Sequence, residues 1–325
     1  MRSMTLPGIE RPMSTAVLGT MTFGDTVDQP AAAEMVTDFL QAGGTGIDTA
    51  NGYAGGASER MLGAVLAEHR DDVVLATKVG IPHPDAEGAA PLSDAAVRRC
   101  VEGSLRRLRT GRVELLYLHQ PDRATPAAET VRAVHDLMAR GLVGAWGVSN
   151  YAAWQIGDLQ RIADDLGGAR PVIAQQVYNA LATRLDVEYA EFAATSGIPT
   201  VVYNPLGGGL LTGRYRLDAP AEAGRFGSSR LAGMYRERYW NAAMFEAVGE
   251  LAEIADDAGL PLAEVALRWV LGRPVADAVL IGGSRPENIR TNVRAIADGA
   301  LDPAIQDRVQ AVSDRVAGPM PQYNR

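Results

Sequence analysis

The sequence predicts an α/β fold: one domain over residues 1–325, built as a closed (β/α)8 (TIM) barrel with a long loop and the C-terminal tail over its mouth. Three observations predict it. Short apolar runs alternate with longer helical patterns from the first residues to the last. The runs are continuous rather than alternating, as expected for parallel strands buried on both faces. No break in composition divides the chain, and repeated strand–helix units without one favour a closed barrel over two domains. A doubly wound open sheet is the alternative.

Taken in order, the expected strands are Ala16–Gly19, Gly46–Asp48, 73–78, Val113–Leu118, 144–148, 172–177, Thr200–Tyr203 and Ala278–Ile281. Helical patterns fall between them at 31–41, 59–68, Asp94–Leu108, 127–140 and 286–296. Ser93 before Asp94, Pro126 after Thr125 and Pro286 after Arg285 mark helix starts, and Gly141 closes the helix ending at Arg140. The stretch 207–240 reads as one long irregular segment. A loop of that length inside a compact domain is usually functional, and here it should cover the barrel mouth.

Composition narrows the function. With 47% hydrophobic and 22% charged residues the balance is that of a globular protein. A net charge of −8 argues against nucleic acid or an anionic membrane as partner, while leaving room for a local basic pocket. The one cysteine, Cys100, excludes an intrachain disulfide and reads as a buried structural thiol in a helix. Neither a signal-peptide core nor a membrane-length apolar run is evident, so a cytoplasmic protein is expected. His69, His83 and His135 lie at no metal-ligand spacing, and no metal site is expected.

In a (β/α)8 barrel the site forms at the C-terminal ends of the strands. Those ends carry Asp48 and Tyr53, Lys78, His119, Ser149–Asn150, Gln176 with Tyr178–Asn179, Tyr203–Asn204 and residues 282–284. Singly, Asp48 is a turn residue, Lys78 a strand-end lysine reaching for solvent, His119 a core histidine and Tyr53 a loop aromatic. Together they come from three successive strands and would converge. Hydride transfer to a carbonyl builds negative charge on oxygen, which needs a proton. A tyrosine is protonated at neutral pH and can donate. A lysine beside it stabilises the developing phenolate, an aspartate holds that lysine, and a histidine orients the carbonyl.

Asp48-Thr-Ala-Asn-Gly-Tyr53, Lys78 and His119 resemble the catalytic tetrad of the aldo-keto reductases in order and spacing. Leu18-Gly-Thr-Met-Thr-Phe-Gly24, Tyr117-Leu-His-Gln-Pro-Asp122 and Gly147-Val-Ser-Asn-Tyr151 extend the resemblance over nearly the whole chain. The chain is similar in particular to the aflatoxin aldehyde and succinic semialdehyde reductases. That similarity rests on Ser149-Asn-Tyr-Ala-Ala-Trp154, Tyr178-Asn-Ala180, the run Tyr203 to Tyr215, Gly224-Arg-Phe226, Met234 to Trp240 and Ala266-Leu-Arg-Trp269. It implies reduction of a small aldehyde, NADPH (NADP+) as cofactor, and a homodimer.

The cofactor is not expected on a Rossmann fold, because no Gly-x-Gly-x-x-Gly follows a strand. Gly208 to Arg214 has Walker-like spacing but lacks the lysine and hydroxyl of an ATP site. The resemblance implies that Ser149, Asn150 and Gln176 hydrogen-bond the nicotinamide carboxamide. It implies that Asn204, Pro205, Leu206, Gly208, Leu210 and Arg214 wrap the pyrophosphate, with Tyr203 a further cofactor residue and Arg225 reaching the nucleotide from the long loop. Gly283, Ser284, Arg285, Asn288 and Asn292 would hold the adenosine half at the last helix N-terminus. Ser284 and Arg285 are the expected 2′-phosphate ligands. Where other aldo-keto reductases often carry Lys before that Ser and Glu near the helix turn, this chain has Gly283 and Thr291.

For the substrate, Met21, Phe23 and Trp240 are candidates for an apolar wall. Tyr235, Arg238 and the terminal Arg325 match substrate-contacting positions of the similar family, and two guanidinium groups would suit a carboxylate-bearing semialdehyde. An alcohol or sugar dehydrogenase, an NADPH-binding regulatory subunit and a barrel isomerase are the rival readings.

Overall fold

A computed structural model describes residues 1–219, 221–222 and 224–318 of the chain. Two short antiparallel strands come first, β1 (Ser3–Met4) and β2 (Met13–Ser14). The barrel follows as β3 (Ala16–Gly19), α1 (Gln29–Gln41), β4 (Gly46–Asp48), α2 (Ala57–Val65), β5 (Val74–Val79), α3 (Asp94–Leu108) and β6 (Val113–Leu118). It continues with α4 (Ala127–Ala139), β7 (Val143–Ser149), α5 (Ala153–Asp165), β8 (Ala174–Val177), α6 (Tyr189–Ser196) and β9 (Thr200–Tyr203). The chain then runs through α7 (Ala232–Tyr239), α8 (Ala242–Asp257), α9 (Leu262–Leu271), β10 (Ala278–Ile281), α10 (Pro286–Ala297) and α11 (Pro303–Ala317).

Strands β3 to β10 form a closed, all-parallel barrel in sequence order, β10 pairing with β3 to complete the ring. The expected strands stand within one or two residues of these, and the open-sheet alternative is excluded by the closure. Alternation along each strand separates two cores. Leu18, Ile47, Leu75, Leu116, Trp146, Val202 and Ile281 face outward and pack under the helices. Val17, Val74, Ala76, Leu115, Ala145, Ile173, Val201 and Ala278 face inward. Leu6, Ile9 and Met13 of the β1–β2 hairpin join that inner cluster, so the hairpin plugs the end of the barrel where the strands begin. The opposite end is left to polar side chains.

Local signals account for several boundaries. Ser93 Oγ accepts from Ala96 N at the start of α3, and Gly141, with φ +72°, ends the segment after α4. Cys100 is buried in α3, as expected. The stretch 207–240 is not irregular: it contains 3-10 turns at Gly207–Thr212 and Gly224–Phe226 and the helix α7. Its order comes from a small aromatic core of Tyr215, Phe226, Tyr235, Trp240 and Phe245, with ring centroids 5.0 to 6.0 Å apart. Helix α7 buries Tyr235 and Tyr239, too few positions to make a legible stripe. Among the described residues no helix is long and apolar enough to cross a membrane.

Candidate active site

Lys78 is the inward-facing residue near the end of β5 and is completely buried. A buried ammonium needs partners for all three protons, and it has them. It donates to Asp48 Oδ1, to the Thr49 carbonyl at 3.0 Å and to the Tyr53 hydroxyl at 3.0 Å. Burial opposes the charge, but Asp48 and Tyr53 outweigh it and hold the Lys78 pKa above its ordinary value. Asp48, at the end of β4, uses its second oxygen to accept from Gln175 Nε2 at 3.0 Å. The lysine is thus an oriented cation, aimed at one phenol.

Tyr53 opens a 3-10 turn, Tyr53–Gly56, just beyond β4. Burial lifts its pKa above the ordinary tyrosine value; Lys78 pulls it down and Asp48 pushes it up. The group is therefore a protonated acid at neutral pH. His119, immediately after β6, meets the Tyr53 ring edge-on at 5.9 Å. Burial, then the Lys78 charge, lower the His119 pKa to about 3, so the imidazole is neutral. Its Nδ1 is buried with no hydrogen-bond partner among the described residues. The structure therefore brings Asp48, Tyr53, Lys78 and His119 to one point, although Asp48 and His119 lie 71 positions apart in the sequence.

Of the residues expected around a nicotinamide ring, Ser149 ends β7 and Asn150 follows it at φ +65°. Asn150 Nδ2 bonds the His119 carbonyl at 2.9 Å, and its Oδ1 accepts from Tyr203 at 2.6 Å. Gln176 needs a correction. Its side chain leaves the barrel on the helix side, where Nε2 donates to the Tyr151 carbonyl at 2.6 Å. Gln175 is the glutamine that faces the interior, against Asp48. Period two in β8 forbids both from pointing inward. The bare sequence Gln-Gln carries no signal for which one does, except the register of the inward set, in which Ile173 precedes Gln175 by two.

After β9, Asn204 adopts φ +62°; its Oδ1 accepts from Gly208 N at 2.6 Å and its Nδ2 donates to Tyr239 at 2.8 Å. Gly207, Gly208 and Gly209 all have positive φ, and a Cβ on Gly208 would lie 2.6 Å from the Tyr235 ring. Only glycine fits there. Pro205 is buried, Leu206 half-buried, and the Leu210 side chain lies in the core, so only its backbone could meet a ligand. Arg214 stacks on Tyr215, 4.7 Å from the ring centre, beneath Gly224.

Arg225 sits lower, donating to the Tyr235 hydroxyl and packing on Met21 Sδ at 3.7 Å. It thus lies with two of the expected substrate residues rather than apart from them. Arg238 is exposed on α7, near enough to Tyr203 and Tyr239 to act on their ionisation. Phe23 is wholly buried in the outer core, and Trp240 belongs to the aromatic core of the loop. Arg325 lies outside the described residues.

At the other edge, the Gly283 carbonyl accepts from Thr22 at 2.8 Å, and Asn292 Nδ2 holds the Gly282 carbonyl at 3.3 Å. Asn288 Oδ1 accepts from the backbone N–H groups of Ser284 and Arg285, at 3.3 and 3.2 Å. Those amides are already satisfied, which leaves the exposed Ser284 hydroxyl and Arg285 guanidinium as the groups that could meet an anion here. A run of positive-φ glycines on one side and free polar side chains at the start of α10 on the other suit a dinucleotide.

The model of the aldo/keto reductase family matches residues 16–314. The human aflatoxin B1 aldehyde reductase member 2 is 35% identical over all of this chain and 93% of that protein. A probable voltage-gated potassium channel subunit beta of Arabidopsis thaliana is 30% identical over 90% of each chain. Among solved structures, the glycerol dehydrogenase of Gluconobacter oxydans superposes with a TM-score of 0.80 at 27% identity, covering 99% of this chain and 98% of the other. With the family model matched over most of the chain and a full-length relative at 35% identity, the chain belongs to the aldo-keto reductase family.

Proposed function

We propose that the chain reduces a small aldehyde to the alcohol with NADPH as reductant and Tyr53 as proton donor. One observation carries this reading. Lys78 donates to the Tyr53 oxygen, so the phenol's own proton must point elsewhere, and the open direction is the barrel mouth. As negative charge grows on the carbonyl oxygen, that proton moves to it and the ammonium stabilises the phenolate left behind. A neutral His119 acts as a hydrogen-bond donor that orients the carbonyl, rather than as an acid.

Ser149, Asn150 and Gln175 would hold the nicotinamide end, the Asn204–Arg214 loop the pyrophosphate, and Ser284 and Arg285 the 2′-phosphate. Bound there, the nicotinamide would supply hydride. The exposed Arg238 beside Tyr203 supports an aldehyde that also bears a carboxylate.

The test compares NADPH consumption with succinic semialdehyde and with an uncharged aldehyde of similar size, for the wild type, Tyr53→Phe and Arg238→Ala. Tyr53→Phe should lose on the order of 10²-fold or more in kcat while NADPH affinity holds. Arg238→Ala should remove a preference for the acid. Tight NADPH binding without turnover in the wild type would instead favour the NADPH-binding regulatory reading.

A further inference from the structure

Behind Tyr53 lies a second buried ionic group that the chemistry above does not use. Glu59, in the first turn of α2, is completely buried. Its Oε1 accepts from Thr77 Oγ1 at 2.6 Å, and its Oε2 pairs with Arg107 Nε at 2.7 Å. Arg107, from the last turn of α3, reaches Asp85 with its other arm at 2.7 Å. Hydrophobic residues of similar volume usually stabilise as well as a buried ion pair. The charges therefore call for a role beyond packing.

Their surroundings supply one. Thr77 adjoins Lys78 in β5. Between Tyr53 and Glu59 the backbone passes through three successive left-handed residues, Ala54 at φ +48°, Gly55 at +60° and Gly56 at +82°. Alanine takes that conformation only at a cost of about 1–2 kcal/mol. Arg107 lies directly beneath the run: a Cβ on Gly56 would come within 2.8 Å of its Cδ. The turn that aims Tyr53 is thus strung between the strand of Lys78 and a helix start locked by Glu59 and Arg107.

We propose that the Glu59–Arg107 ion pair positions Tyr53, fixing the left-handed turn so that the phenol oxygen stays within hydrogen-bond reach of Lys78. The inference rests on Tyr53 being the proton donor. Glu59 and Arg107 are positioning residues, and a rigid link is needed because an error of about 1 Å at the reacting atoms costs on the order of 10²-fold in rate.

The test is Glu59→Gln, which keeps size and removes the charge. With the wild type as reference, kcat for the aldehyde should fall by about tenfold or more, with KM for NADPH unchanged. In parallel, the phenol of Tyr53 is titrated by carbon-13 NMR in tyrosine-labelled protein, assigned with Tyr53→Phe. The groups facing that hydroxyl are Lys78 from β5, Asp48 from β4, His119 just beyond β6 and Tyr235 from α7. Only the Lys78 contact lowers the Tyr53 pKa among those charges, so loosening it should move the titration to higher pH.

A folded Glu59→Gln protein with wild-type kcat and an unmoved Tyr53 titration would overturn the proposal, as would a loss of kcat with the titration unmoved. Arg107→Lys, which keeps the charge but loses the two-armed bridge, carries the same readouts if Glu59→Gln does not fold. Should the wild type not turn over at all, the proposed reaction fails, and the NMR titration still decides the positioning role.

Discussion

Replacing Lys78 by methionine removes one ammonium from the centre of the site and tests both what it does for rate and what it costs in folding. Its Nζ lies 3.0 Å from the Tyr53 oxygen. At an effective dielectric near 20, unit charges at that separation interact by about 5–6 kcal/mol. A phenolate half developed in the transition state would forfeit roughly half of that, ~3 kcal/mol, or about a hundredfold in kcat. Folding should suffer separately. Asp48 is buried and would keep Gln175 but lose its cation, and stripping one partner from a buried pair costs about 3–5 kcal/mol.

The pH dependence follows with a definite sign. Burial already holds the folded pKa of Asp48 above its unfolded value of ~3.9, partly offset by Lys78, so Lys78→Met raises it further. The stability this gives is full below the unfolded pKa and is lost as pH rises through the raised one. The variant should therefore melt higher at about pH 5 than at about pH 8. Adding Asp48→Asn should recover much of the melting temperature but none of the rate. The assay is single-turnover NADPH consumption at saturating cofactor, alongside thermal melts at both pH values. A Lys78→Met enzyme within about threefold of the wild-type rate would refute the reasoning.

The other expectations are simpler. With its folded pKa lowered to about 3, His119 stays neutral in the folded protein at every working pH, so kcat should show no limb near the ordinary histidine value of ~6.5; a limb there would count against the assignment. Because that pKa is depressed, the stability it contributes is present above ~6.5 and lost as pH falls toward the folded value, and His119→Leu should flatten this acid limb in urea titrations. Gln175→Leu should lower kcat by releasing Asp48, whereas Gln176→Leu should lower stability by about 1–3 kcal/mol and leave kcat alone; the reverse pattern would show the register argument to be wrong. Arg285→Ala should raise KM for NADPH by about tenfold with little change for NADH, and equal effects on both would remove the 2′-phosphate role.

Much of the barrel was legible because its strands are continuous apolar runs. A run such as Val113–Leu118 reads as a strand buried on both faces without knowledge of its neighbours. The four convergent residues were legible for a related reason: a barrel places the end of every strand at one mouth, so Asp48, Lys78 and His119 meet whatever the helices between them contain. The 207–240 stretch was not legible. Its order comes from five aromatic residues meeting across sequence distances that no local period records.

The sequence by itself determined the residue types at the strand ends and the alternation that builds the ring. Which member of an adjacent pair faces the site was decided only by the closed sheet, whose register turns Gln175 toward Asp48 and Gln176 toward Tyr151. The same holds for Glu59, which in the sequence is an ordinary acidic residue at a helix start. Its complete burial against Thr77 and Arg107 arises because α2 and α3 are pressed onto neighbouring strands. Contacts between segments far apart in the chain carry no periodic signal, and only packing creates them.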